Sequence, residues 1–275
     1  MAGRRFGLEL SSDRVVAWAR GDGLVLAEPA LAARQTATGK LLAYGDQAAA
    51  MAGAPGVELV APFGLTELAD QEAAEQMLRH LITRLVGRLV FVRHELVLAV
   101  PAGLSTAARR ALLEVALSSG ARMAHLLDLP LAMAFGAGLS VTSWEPSPVL
   151  FLLPASAQAA VVCHHGLLVH RCLRWEGGQA QAGWLEAADG SERLAAMVLR
   201  LLEEVPPAGR PGVRRVGFAL AGRGVDLELI SAELRIRTGL EMRVVADPEH
   251  CVVKGAEVAL ERIEAVGGRT LLYLN

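Results

Sequence analysis

Aromatic residues are scarce in this chain of 275 residues: Phe, Tyr and Trp together make up 4%. Ala, Leu and Val dominate instead, so the core is expected to be aliphatic. Cysteine is nearly absent too. Cys163, Cys172 and Cys251 do not make a disulfide framework, and a reducing cytosol is the expected compartment. No long apolar run is present. The greasiest stretch, Pro148 to Cys163, is interrupted by Pro154 and is too short to span a bilayer. Charge has no bias either: 27 Lys and Arg face 29 Asp and Glu, a net charge of -2, which leaves no nucleic-acid footprint. Met1-Ala2-Gly3-Arg4-Arg5 is basic but leads directly into a strand-like run, so no signal peptide is expected.

What is present is ample material for a core. Hydrophobic residues make up 53% and charged residues 20%, which argues against disorder. The length suits two lobes or one large α/β domain. The chain also repeats itself in outline. Phe6–Leu10, Val15–Arg20 and Leu24–Ala27 read as a three-stranded meander with turns at Ser11-Ser12-Asp13 and Gly21-Asp22-Gly23. Val149–Leu153, Ala159–Cys163 and Leu167–Leu173 read as a second, with turns at Pro154–Ala157 and His164–Gly166.

Alternating helices and strands follow each meander. Asp70–Val86 is helical by the spacing of Met77, Leu78, Leu81, Ile82 and Leu85. Leu96–Val100 is a strand, and Ser105 caps a helix running to Ser118. Met123–Leu127 is a strand, and Leu131–Ala137 is a helix with Pro130 in its first turn. In the second half, Ser191–Glu204 is a helix and Arg215–Leu220 a strand. Asp226–Thr238 is a helix closed by Gly239, Met242–Val245 is a strand, and Glu249–Val266 is the last helix. Two like halves imply two α/β lobes, with a cleft between them as the usual ligand site.

A duplicated meander with alternating helices resembles the actin, Hsp70 and sugar-kinase superfamily, and the local sequence is similar to MreB-type bacterial actins. The likeness rests on Gly21-Asp22-Gly23-Leu24-Val25-Leu26-Ala27-Glu28-Pro29, Leu42-Ala43-Tyr44-Gly45-Asp46-Gln47-Ala48 and Val100-Pro101-Ala102-Gly103-Leu104-Ser105. It continues through Ala108-Arg109-Arg110-Ala111, Ser119-Gly120-Ala121-Arg122, Pro130-Leu131-Ala132-Met133-Ala134 and Gly136-Ala137-Gly138-Leu139. Thr238-Gly239-Leu240, Asp247-Pro248 and Cys251-Val252 complete a series in family order over nearly the whole chain. The resemblance implies duplicated actin-like (RNase H-like) α/β lobes with a central cleft. Lobe I is expected over 1–147, with a small subdomain near 28–66. Lobe II is expected over 148–275, truncated, because Gly177-Gly178-Gln179 runs through one helix to Pro206-Pro207 and Arg215 where the family carries an upper subdomain.

The resemblance also implies an ATP site, and the sequence departs from it there. Backbone N–H groups in glycine turns would cradle phosphate, and carboxylates would hold Mg²⁺ and water. The first loop of the family offers Asp, Gly and Thr; here Glu9, Ser11 and Ser12 stand in their place. The second offers Asp, glycines and Thr; here Phe151, Leu153-Pro154-Ala155 and Ser156 match. Pro154 has no N–H to donate. The water-activating Glu of the family aligns with Leu129, and the late glycine loop survives as Gly222-Arg223-Gly224. Glu9, Ser11, Ser12, Ser156, Gly222 and Gly224 are therefore the relic of a nucleotide site. No cofactor, no catalytic residue and no metal are expected.

Two further signals stand out in the sequence. Cys163-His164-His165 with His170 and Cys172 has the residue types of a zinc site, but alternation along a hairpin sends those side chains to different faces. They read as a turn with exposed histidines. Phe91 and Val92, flanked by Arg84, Arg88 and Arg93, lie where some MreB-type proteins present an apolar, membrane-dipping loop. The leading expectation is a non-enzymatic, MreB-like cytoskeletal or scaffold protein of the cytoplasm or the inner membrane face. Its partners would be a full-length MreB-type filament, a second copy of itself, or membrane and cell-wall machinery, and not nucleic acid. The alternatives are a polymerising actin-type ATPase using Glu9, Ser12 and Ser156, and an actin-fold adaptor of a pilus or division machinery.

Overall fold

The computed structural model describes residues 5–86, 94–164, 166–175 and 189–265. The chain divides into two compact units, residues 1–127 with 259–275, and residues 128–258.

In the first unit, β1 (Arg5–Leu10), β2 (Arg14–Ala19) and β3 (Gly23–Pro29) form the expected antiparallel meander. A second, small sheet follows, which the periodicity did not reveal. It is made of β4 (Ala32–Gln35), β5 (Leu41–Tyr44) and β6 (Val57–Val60) in the order β5-β4-β6, with the short helix α1 (Gly45–Ala49) inserted. Its strands are four residues long and its core is slight, centred on Ala33, Ala43 and Ala48. Helix α2 (Gln71–Val86) leads to β7 (His94–Val100), which lies parallel to β1. Helix α3 (Thr106–Ser118) then starts at Ser105, whose hydroxyl accepts from Ala108 N–H as the sequence implies. With β8 (Ala121–Asp128) the main sheet reads β3-β2-β1-β7-β8.

Period-two alternation sorts the central strand. Phe6, Leu8 and Leu10 join Leu96, Leu98 and Val100 under the apolar stripes of α2 and α3, namely Met77, Leu78, Leu81, Ile82, Leu112 and Val115. Gly7 and Glu9 therefore point to the other face. The small sheet is tied to α2 by Arg34, which lies 2.5 Å from Asp70, while the second oxygen of Asp70 accepts from Ala73 N–H and caps the helix.

The second unit repeats the plan. Helix α4 (Leu129–Gly136) packs on β9 (Ser147–Leu153) and β10 (Ser156–Cys163), and β11 (Gly166–Arg174) completes the meander. The break between units thus falls in the sequence before α4, earlier than the 147/148 boundary of the expected lobes, because Leu129 to Phe135 are all buried and pack on these strands. Helix α5 (Gly190–Glu204) follows. Residues 210–216, the first part of which lay outside any expected element and the last of which were expected to open a strand, form helix α6 (Arg210–Val216). The strand β12 starts only at Phe218 and runs to Gly222. Gly217 ends α6, and the backbone of Glu241 stands 2.5 Å from where a Cβ would be. Helix α7 (Leu227–Thr238), capped by Asp226 and closed by Gly239, and strand β13 (Met242–Val244) complete the sheet β11-β10-β9-β12-β13. This is the first unit's order, position for position. Helix α8 (Cys251–Ala265) closes the described chain. Among the described residues, the second unit has no counterpart of the small sheet β5-β4-β6.

The second core again lies on one face. Leu150 and Leu152 of β9, with Phe218, Leu220 and Met242, pack under Leu194, Val198, Leu201, Val213, Ile230 and Leu234. Helices α4 and α8 meet through glycine: a Cβ on Gly255 would stand 1.7 Å from the carbonyl oxygen of Ala132.

Candidate functional site

The candidate residues divide between the units: Glu9, Ser11 and Ser12 in the first, and Ser156, Gly222 and Gly224 in the second. In the first unit, Leu10 pairs with Val15, and the chain reverses through Ser11-Ser12-Asp13-Arg14. Ser11 is buried and absorbed by its own turn. Its Oγ lies 2.8 Å from the Arg14 carbonyl and 3.1 Å from both Glu9 Oε1 and Asp13 Oδ1, and one hydroxyl proton serves one of these at a time. Glu9 is fully buried on the sheet face away from α2 and α3. Ser12 is partly exposed.

The second unit places Phe151 where the first has Glu9. Both sit on the central strand, one residue before the last core-facing leucine, Leu152 or Leu10, and both point to the face opposite the helical core. Phe151 is fully buried, and the Arg223 guanidinium carbon lies 5.9 Å from its ring centroid. The hairpin beyond it is tighter than expected. Leu153 pairs with Ser156, so the turn is Pro154-Ala155 alone and Ser156 already belongs to β10. Ser156 Oγ is buried and has no hydrogen-bond partner among the described residues.

Gly222 and Gly224 close onto this hairpin. Gly222 has φ +151°, and a Cβ there would stand 2.0 Å from the Leu152 carbonyl oxygen. Gly224 has φ +68°, and its Cβ would stand 2.7 Å from Pro154 Cγ. Arg223 N–H, between them, donates to the Leu152 carbonyl at 3.1 Å. Both glycines thus have a packing reason to be glycine that involves no ligand. Arg223 was not singled out by sequence, since an Arg between two glycines looks like any solvated loop residue.

This hairpin offers little to a magnesium-bound phosphate. Pro154 donates nothing, Phe151 and Leu153 are buried hydrocarbon, and the flank of the glycine turn is filled by the proline ring. The residues of the second unit do not fit a phosphate cradle. Leu129, at the place of the family's water-activating acid, is the first residue of α4 and fully buried.

Other expected sites fare differently. Phe91, Val92 and His165 lie outside the described residues. Arg84, expected to face an anionic surface, has its Nη1 2.5 Å from Glu28 Oε1. His164 Nδ1–H donates to the Thr142 carbonyl, 3.1 Å away, and its ring lies 5.0 Å from that of Trp144. Among the described residues no three His, Cys, Asp or Glu side chains are grouped to hold a metal, and no helix is long and apolar enough to cross a membrane.

One sheet order used twice, with helices packed in the same places, defines a protein of the actin-like fold. The chain belongs to the MreB/Mbl protein family, whose model matches residues 3–183. The cell shape-determining protein MreB of Escherichia coli K12 is 27% identical, over 95% of this chain and 94% of that protein. That alignment runs over 328 positions against 275 residues here, so part of the relative has no counterpart in this chain. Among solved structures, MreB5 of Spiroplasma citri bound to ADP superposes with a TM-score of 0.81 at 19% identity, covering 97% of this chain and 99% of that one. A MamK double helical filament matches with a TM-score of 0.71 at 14% identity, over 94% and 99%.

Proposed function

We propose that this protein is an MreB-like cytoskeletal scaffold that works without an ATP cycle. The observation that carries this reading is the β9–β10 hairpin. Phe151 occupies the position equivalent to Glu9, Pro154 removes a backbone donor, and the proline ring fills the space beside Gly224. Its relatives include a cell shape-determining protein and a protein solved as a double helical filament, which supports assembly with copies of itself or with a full-length homologue. A head-to-tail protofilament needs two different complementary surfaces. The first unit retains its small sheet, whereas the second shows none among the described residues, so co-assembly with a full-length homologue is favoured over long filaments of this chain alone.

Sedimentation tests this reading. The protein alone should pellet poorly, and equally with and without Mg-ATP, and should co-pellet with a full-length homologue. Long ATP-dependent filaments of this chain alone would contradict it. The membrane part of the reading rests on the sequence Phe91-Val92. Replacing both by Ser should lower binding to anionic liposomes, and unchanged binding removes that part.

A further inference from the structure

A cavity of about 340 Å³ lies wholly within the second unit. Its walls are the end of α4 with Ala137 and Leu139, the strands β12 and β13 with Ala219 and Arg243, and the chain into α8 with Asp247, Cys251 and Lys254. Alternation along the strands decides which sheet face it opens on. Phe218, Leu220 and Met242 pack into the core under α5 and α7. Ala219 and its register partner Arg243 therefore point to the opposite face, where the cavity lies.

The walls are held in place by backbone. A Cβ on Gly136 would stand 1.8 Å from the Cys251 carbonyl oxygen, so the end of α4 and the start of α8 touch with no side chain between them. Helix α4 is closed at that end. Ala137 N–H donates to Met133 and Leu139 N–H to Ala134, with Gly138 left-handed at φ +68°. Leu139 is thereby fixed at the rim.

Three charged side chains stand on these walls. The Asp247 carboxylate takes the Lys254 ammonium and lies 3.1 Å from His250 Nδ1. Burial pushes that carboxyl up, but hydrogen bonds from Lys254 and His250, with their charges, hold it below the ordinary carboxylate value. Asp247 is then an anion at neutral pH and balances Lys254. Arg243 is exposed and makes no hydrogen bond or ion pair with the described residues. The cavity thus has one positive charge in excess, on a planar fork of donors shaped for a carboxylate.

We infer that this cavity binds a monocarboxylate with a short hydrocarbon chain. The carboxylate sits on Arg243, and the chain lies along Leu139, Ala219 and Cys251. The volume is at the lower end of small-molecule sites, which suits a chain of about eight carbons. A phosphate monoester carries a second negative charge, and Asp247 in the same wall disfavours it. An amine would set its charge against Arg243. This site is separate from the β9–β10 hairpin and does not depend on whether nucleotide binds there.

Equilibrium dialysis with labelled octanoate, kept below its micelle concentration, tests the inference. Octanoate should bind saturably. Butyrate, octylamine and octyl phosphate should each compete at least about tenfold less well. Arg243→Gln should weaken octanoate about tenfold or more, and Arg243→Lys should recover part of the loss, since it returns the charge without the fork. Ala246→Glu, at an exposed position of the rim, should weaken octanoate as well by repulsion. Arg243 and Ala246 are both exposed, so circular dichroism should show all three variants folded. No saturable octanoate binding would overturn the inference, and so would binding indifferent to Arg243→Gln. Octylamine or octyl phosphate competing as well as octanoate itself would overturn the assigned ligand class.

Discussion

The ring of Pro154 fills the space beside Gly224: a Cβ on the glycine would stand 2.7 Å from the proline Cγ. The flank of the Gly222-Arg223-Gly224 turn is thus taken up by a side chain of the same unit.

This contact is measurable as coupling. Gly224→Ala should cost about 1–3 kcal/mol, from the positive φ and from the clash with Pro154. In a Pro154→Ala background the cost should shrink toward the backbone share of about 1 kcal/mol. Urea denaturation of the four chains checks this, with additive effects counting against the contact.

Phe151 should behave as core rather than as an idle remnant. Phe151→Ala is expected to lose about 3–5 kcal/mol, the usual range for a fully buried aromatic. A loss under ~1 kcal/mol would mean that the hairpin can open.

The α4–α8 crossing admits no side chain at Gly255. Gly255→Ala should cost about 3 kcal/mol or more, because the new Cβ meets the Ala132 carbonyl and a backbone cannot rotate away. Thermal unfolding decides it, and a melting temperature within about 2 °C of the parent would refute the packing described.

Asp70 gives stability a pH dependence. Burial pushes its carboxyl up, but hydrogen bonds from Ala73 N–H and Arg34, with the Arg34 charge, hold it below the ordinary carboxylate value. A folded value below the unfolded one adds stability that is present above the unfolded value and lost as pH falls through the folded one. Asp70→Ala should therefore cost about 1–2 kcal/mol near neutrality, and the difference should narrow below about pH 4. A difference constant from pH 7 to 3 would show that the carboxylate charge is not involved.

How far the sequence carried can be judged element by element. Both meanders, the cap at Ser105 and the closing Gly239 were legible, because strands of five or more residues between turn formers and helices with clear ends announce themselves locally. The small sheet was not: four-residue strands are too short to show a period. Helix α6 was misjudged because the apolar residues around Gly217 read as one run, when the glycine separates a helix from a strand. At the site, the residue types alone singled out Phe151 and Leu153-Pro154-Ala155 as departures from the pattern of the family they resemble. That Pro154 stands beside Gly224, and that Arg223 lies over Phe151, depends on contacts some 70 residues apart in the sequence, which no local pattern encodes.

The central claim is that no nucleotide drives this protein, and nucleotide binding tests it most directly. Thermal unfolding with 0 to roughly 1 mM Mg-ATP or Mg-ADP should show no shift, since a ligand at a thousand times its Kd would add about 4 kcal/mol and raise the melting temperature by several degrees. A flat response, matched by no heat on calorimetric titration, is the predicted result. A saturable, Mg²⁺-dependent rise abolished by Glu9→Ala would contradict the account.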